Sequence, residues 1–292
     1  MELSSLLTFK AVVEEGGILS ASRKLNTVQS NVTSRIKRLE QELNSELFYR
    51  KGRGLALAPA GRVLYEYACQ ILQLESQAGM AVRQVGEQSG ELRIGAMETF
   101  ASLRLAPALK KLKSSHKGVE LRVVTDTSSA LVERVLNHKL DCAFVAGRVD
   151  QEALLVCDVG REELVLVQAR GSDCQSQLIL FREGCAYRAR ALAWHRECGQ
   201  QVSEVMELGT LDGILGCVSV GLGCTLMPAW VVAQSRYADE LTIEQIPPHL
   251  AMVPTVMIRH KQGVPMKALE TLAQAVIESA ENNDRAARLK TA

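Results

Sequence analysis

Apolar residues recur at helical spacing from the first turn of the chain. Leu3, Leu6, Phe9 and Val13 share one face of a helix that Gly16-Gly17 ends in a left-handed turn. The stretch ILSASRKLNTVQSNVTSRIKRLEQEL then predicts two helices, residues 20–25 and 29–42, broken at Asn26-Thr27. In the second, Val32, Ile36, Leu39 and Leu43 form one narrow apolar stripe. Ser30, Asn31, Thr33, Ser34, Lys37 and Arg38 point away from it, with no carboxylate among them. Short hydroxyl and amide groups beside two cations suit a helix that enters a DNA major groove, so the pattern predicts a helix-turn-helix. Downstream, Leu47 and Phe48 turn inward, and Arg50-Lys51-Gly52-Arg53-Gly54 reads as the basic tip of a hairpin, a wing able to reach the backbone or the minor groove.

Pro59 opens a long helix. Leu64, Tyr67, Ile71, Leu74, Ala78, Ala81 and Val85 alternate spacings of three and four along it, a seam that predicts pairing with the same helix of a second subunit. Residues 86–90, GEQSG, read as a hinge. From residue 91 the period changes. Strands are expected at 92–96, 119–123, 142–146, 154–159, 163–169, 178–181, 241–246 and 255–259. Helices are expected at 101–115, 129–137, 186–198, 210–220, 229–235 and 265–281, ahead of a frayed polar tail. This is an α/β texture with a largely parallel sheet.

At 292 residues, 47% hydrophobic and 23% charged, the chain is long enough for two folded domains. The net charge of +1 conceals an asymmetry: between Arg23 and Arg62 nine Lys or Arg face three Glu, a surplus of six positive charges, which leaves the remainder at net −5. A basic module on a mildly acidic body fits one domain that meets phosphate and another that does something else. The start carries no basic leader and no apolar run reaches membrane length, so a cytoplasmic protein is expected. The eight cysteines include no C-x-x-C pair and no His lies at ligand spacing, so free thiols are expected, with no metal and no cofactor.

The stretch AVVEEGGILSASRKLNTVQSNVTSRIKRLEQELNSELFYRKGRGLALAPAG resembles the winged helix-turn-helix of LysR-type transcriptional regulators without gaps. Weaker likeness follows in LRIGAMET, KLDCAFVAG and GCVSVGLGCTLMP. The resemblance implies an α/β protein with an all-α winged helix-turn-helix N-terminal domain (1–60), a linker and dimerisation helix with hinge (61–90), and a periplasmic-binding-protein-like effector domain (91–292). In the last, subdomain I comprises 91–161 and 263–292, and subdomain II comprises 162–262. It implies contacts with double-stranded DNA through Gln29, Ser30, Thr33, Arg35 and Arg53, to which the outward face of the second helix adds Asn31, Ser34 and Lys37. Proline or alanine is common in the family where Ser30 and Asn31 stand, and a cation is frequent at Ser34. Dimerisation through Leu64, Tyr67, Ile71, Leu74 and Ala78, with assembly of dimers into a tetramer, is also expected.

For the small-molecule effector, a carboxylate or an amino acid, the resemblance implies Thr99 and Phe100 in the Met97-Glu98-Thr99-Phe100 turn, together with Ser128 beside Ser129. The opposite wall is expected from Cys185, Tyr187 and the loop Gly221-Leu222-Gly223. Ser and Thr at such places also serve as plain helix caps. The alternative function is a thiol-based redox sensor acting through Cys185, which has Arg182, Arg188 and Arg190 nearby in sequence. No nucleophile elbow, P-loop or complete dinucleotide fingerprint follows a strand, and the five His are scattered, so no enzyme is expected.

Overall fold

The computed structural model describes residues 1–51, 54–84, 90–172, 177–199, 204–263 and 266–290. The chain forms two compact units, Met1–Val85 and Gly86–Ala292.

In the first unit, α1 (Leu3–Glu14) buries Leu6, Phe9 and Val12, and Gly16 at φ +71° turns the chain into α2 (Ile18–Lys24). Asn26 at φ +47° closes the turn before α3 (Gln29–Leu43), which buries Val32, Ile36 and Leu39. Leu43 does not complete that stripe and is exposed, as is Leu3 on α1. Helix α3 ends at left-handed Asn44. The Glu40 carboxylate accepts the Leu47 and Phe48 N–H groups at 2.9 and 3.4 Å, which ties the following hairpin to α3. That hairpin pairs β1 (Phe48–Lys51) antiparallel with β2 (Gly54–Leu57), and the Phe48 ring lies 5.4 Å from Phe9. Helix α4 (Pro59–Gln84) enters across this junction. A Cβ at Gly61 would fall 2.3 Å from the Leu47 carbonyl oxygen, so only glycine permits the approach.

The second unit is a mixed sheet clad in helices. Strand β3 (Gly90–Ala96) runs parallel to β4 (Val119–Thr125) on one side and to β5 (Cys142–Ala146) on the other. Between β3 and β4 lie the short α5 (Glu98–Phe100), a π-helical turn (Ala101–Leu105) and α6 (Ala106–Ser115); α7 (Ser128–Leu136) precedes β5. The segments expected as separate strands at 154–159 and 163–169 are one strand, β6 (Leu154–Ala169). Its first part, to Glu163, pairs antiparallel with β11 (Met252–His260); its second part pairs antiparallel with β9 (Thr225–Pro228) and β10 (Leu241–Gln245). β9 abuts β7 (Gln177–Leu180) through the Leu178–Cys224 bridge, and β7 runs parallel to β8 (Glu204–Glu207). Helices α8 (Ala186–Glu197), α9 (Leu211–Ser219), α10 (Ala229–Gln234) and α11 (Pro248–Ala251) cover this half. The last helix, α12 (Lys267–Lys290), packs on α6.

Three expectations are corrected here. The sheet is not largely parallel, because β6 and β11 cross between its halves and their partners run against them. β11 pairs with β5 and the first part of β6, so the chain has returned to the first half by Met252 rather than near residue 263. The polar tail expected to fray continues α12 to Lys290.

Candidate functional sites

The outward face of α3 carries Gln29, Ser30, Asn31, Ser34, Arg35 and Lys37 exposed, with Thr33 half-buried. Val28, the residue before the helix, supplies no side-chain cap, and the first turn holds no acid. The first N–H groups therefore face outward, an arrangement that favours an anion. Several side chains are already engaged. The Thr33 hydroxyl donates to the Gln29 carbonyl at 2.9 Å, Asn31 donates to Thr27 at 3.1 Å, and Arg35 donates to Thr8 at 3.2 Å. Arg38 is paired with Glu2 at 2.8 Å and Glu42 at 3.4 Å. Lys37 has no ion pair among the described residues. Arg53 lies outside the described residues, as do the side chains of Arg50 and Lys51.

Along α4 the expected seam divides in two. Leu64 and Ala68 are buried in the first unit's own core, with Ile71 partly buried against it, because α4 packs on α1 there. Leu64 is thus a core residue, a correction to its place on a free seam. Tyr67 and Leu74 are 58% and 67% exposed, Ala78 is exposed, and Val63 and Val82 are exposed beside them.

In the second unit a narrow cleft, with a cavity of about 40 Å³, opens between the two halves of the sheet. Met97, Glu98, Thr99, Thr125, Asp126, Thr127 and Ser128 line one wall; Phe181, Arg182, Cys185, Ala186, Tyr187 and Gly209 line the other. Four expected residues, Thr99, Ser128, Cys185 and Tyr187, therefore meet. Two do not. Phe100 is a core residue whose ring stacks on Phe144 at 4.7 Å, and Gly221 lies outside the cleft. Gly209 and Phe181 take the place expected of the Gly221-Leu222-Gly223 loop. The mouth is drawn together at Gly184, whose φ is +88° and whose Cβ would fall 2.8 Å from the Thr127 hydroxyl.

The polar groups at the rim are mostly satisfied. The N–H of Ser129 donates to the Gly184 carbonyl at 3.1 Å, that of Ala130 to Thr127 at 3.4 Å, and that of Ala146 to the Ser128 hydroxyl at 3.1 Å. Asp126 holds Arg134 at 2.8 Å and Arg182 at 3.8 Å. The floor differs. The Thr99 hydroxyl is buried without a well-formed hydrogen bond, and the Tyr187 hydroxyl donates to the Glu162 carboxylate beneath it. Glu162 is 1% exposed; burial pushes its carboxyl above the usual range, opposed by the Tyr187 hydrogen bond, the Arg104 charge and the Thr255 hydroxyl. Burial, reinforced by Glu162 and opposed by the nearby Thr99 hydroxyl, pushes the Tyr187 phenol well up. Burial also raises the Cys185 thiol, outweighing the Arg188 and Tyr187 N–H groups and the Arg188 charge that favour thiolate.

Two family models match the chain. Residues 3–62 fit "Bacterial regulatory helix-turn-helix protein, lysR family", and residues 86–281 fit "LysR substrate binding domain". The chain belongs to the LysR family. It is 36% identical to the HTH-type transcriptional regulator YofA of Bacillus subtilis (strain 168), over 95% of this chain and 99% of that one. It is 34% identical to the HTH-type transcriptional regulator SoxR of Arthrobacter sp. (strain TE1826), over 99% of both. Among solved structures it is similar to full-length CbnR complexed with its target DNA, with a TM-score of 0.66 and 22% identity over 96% of this chain and 100% of that one. A full-length OxyR variant from Pseudomonas aeruginosa gives a TM-score of 0.70 at 18% identity over 94% of each chain. As a LysR-type regulator the chain binds DNA, regulates transcription and carries an effector-binding domain.

In this LysR-type chain, sequence reasoning missed Thr125, Asp126, Thr127, Phe181, Arg182 and Gly209 as cleft residues. The positions just past the ends of β4 and β7 carried the available signal, since ligands of open α/β sheets gather outside strand carboxyl ends. Glu162 offered no signal; only the fold places it under Tyr187.

Proposed function

We propose that the chain is a cytoplasmic regulator in which residues 1–60 read DNA, α4 joins two copies, and a small molecule held in the cleft of residues 91–292 controls the outcome. No enzymatic step is assigned. Gln29, Ser30, Asn31 and Ser34 are the base-reading candidates on α3, with Thr33 beside them; Arg35, Lys37 and the wing residue Arg53 meet phosphate. Exposed Tyr67, Leu74 and Ala78 form the homodimer seam, with Ile71 at its edge, and dimers assemble into tetramers. Thr99, Ser128, Cys185 and Tyr187 contact the effector.

The observation that carries the effector reading is the Thr99 hydroxyl, 1% exposed on the cleft wall, which lies beside the Tyr187 hydroxyl but makes no well-formed hydrogen bond. A buried hydroxyl left unbonded is unfavourable by roughly 1–3 kcal/mol, which a ligand oxygen or nitrogen recovers. The redox alternative is weaker. Cys185 is a half-buried thiol whose pKa burial raises, and exposed Cys198 lies at the far end of α8, about 20 Å away at about 1.5 Å per residue.

Two measurements test the reading. Selection of bound sequences from random duplexes by the full chain is expected to enrich one motif, and Gln29→Ala to weaken discrimination by about 1–3 kcal/mol. A thermal-shift screen of metabolites is expected to find a stabilising ligand whose effect Thr99→Val weakens about tenfold while DNA binding without the ligand is kept. Absence of an enriched motif overturns the DNA assignment. A metabolite response unaltered in Thr99→Val overturns the effector site.

A further inference from the structure

Resting on the effector reading of the cleft, we propose that Glu162 is a positioning residue that fixes Tyr187 as a hydrogen-bond acceptor, so that the effector seated there is a protonated amine.

A phenol has one proton to donate, and Tyr187 commits its own to Glu162. What Tyr187 offers the cleft is therefore its oxygen lone pairs. Glu98, half-buried on the opposite wall, presents a carboxylate with no ion pair among the described residues. The N–H groups of Ser129 and Ala130 at the start of α7 are taken, and Arg182 leans on Asp126. An ammonium entering this cleft would meet acceptors on both walls. The Thr99 hydroxyl, buried beside Tyr187 without a well-formed hydrogen bond, can accept a further N–H or donate to a second polar group of the same ligand.

Burial raises the Glu162 carboxyl, and the groups around it pull the other way. The Arg104 guanidinium, 3% exposed and stacked 4.4 Å from the centroid of the Trp230 ring, adds positive charge beneath the carboxylate. The π-helical turn Ala101–Leu105 separates Thr99, which lines the cleft, from Arg104, which lies behind it. Such turns are frequent at functional sites. An ammonium above Tyr187 stabilises the Glu162 carboxylate through the shared phenol and is stabilised by it in return.

The test uses the full chain and matched pairs of probes: the L-α-amino acids and simple mono- and diamines, each beside its deaminated or hydroxyl analogue, read by calorimetry and thermal shift. At least one amine is expected to bind tenfold or more tightly than its analogue. Glu162→Gln is expected to bring that ratio close to one, a change that loss of stability alone does not produce. Tyr187→Phe is expected to do the same, and it decides the matter if Glu162→Gln fails to fold. The proposal is overturned if the analogues bind as well as the amines, if no amine binds, or if the ratio survives both substitutions. Binding of a metabolite without an amine that still depends on Thr99 overturns this inference and leaves the effector site standing.

Discussion

Lys37→Ala offers the sharpest test of how α3 meets DNA. Among the cations on that helix, Arg38 is shared between Glu2 and Glu42 and Arg35 reaches back to Thr8, whereas Lys37 projects without an ion pair among the described residues. Each phosphate neutralised on B-form DNA adds about 0.9 to the slope of log K against log salt. Removing Lys37 is therefore expected to flatten that slope by about 0.9 per copy of α3 bound, or about 1.8 for a dimer with both helices engaged. Between about 50 and 200 mM salt, a change of 0.9 alters the ratio of wild-type to variant affinity about 3.5-fold. Arg38→Ala is expected to flatten the slope by less than half as much, because two carboxylates already screen its charge. Fluorescence anisotropy of a labelled random-sequence duplex, titrated at a series of salt concentrations, measures both without knowledge of the operator. An unchanged slope in Lys37→Ala, or a larger change in Arg38→Ala, refutes this orientation of the helix.

Other consequences are open to direct measurement. Tyr67→Lys with Leu74→Lys places charges on the exposed side of α4 and is expected to yield a folded monomer in sedimentation; a variant that sediments as the parent does removes α4 as the seam. Gly61→Ala forces a methyl against the Leu47 carbonyl and is expected to destabilise the first unit by about 1–3 kcal/mol in urea unfolding, with an unchanged midpoint counting against the packing. The Glu162 carboxyl is raised in the folded chain, so the folded state holds its proton more tightly than the unfolded state; the stability this gives is present at low pH and lost as pH rises through the folded value. Glu162→Gln is therefore expected to flatten the decline of stability above the ordinary carboxylate range, and a pH profile parallel to wild type would contradict the shift.

The first unit was legible because its signals are local. The period of α3, the glycines after α1 and Pro59 each act within a few residues, and the helices stand within a turn or two of their expected places. Leu64 was misread because period alone cannot say which of two neighbouring stripes a helix gives to its own core. In the second unit β8, β9 and α11, four residues each, went unread, whereas the equally short β7 was found because Leu178, Ile179 and Leu180 form an unbroken apolar run. The unity of β6 was hidden by Asp158, Gly160 and Arg161, which look like a break but lie on a strand held by β11. The cleft was half legible: hydroxyls at helix starts could be found by pattern, while the carboxyl beneath Tyr187 depends on strands brought together from distant parts of the chain.

Strand β6 exchanges partners between Glu163, paired with Met252 of β11, and Leu164, paired with Pro228 of β9. A rotation of one half of the effector-binding domain against the other has its fulcrum there, since the backbone runs through unbroken while its neighbours change. Glu162 sits one residue from that fulcrum, where lever arms are short. Asp126 and Arg182 stand on opposite walls of the cleft, away from that crossover. The Tyr187–Glu162 hydrogen bond at the floor is thus the contact that such a rotation would disturb least.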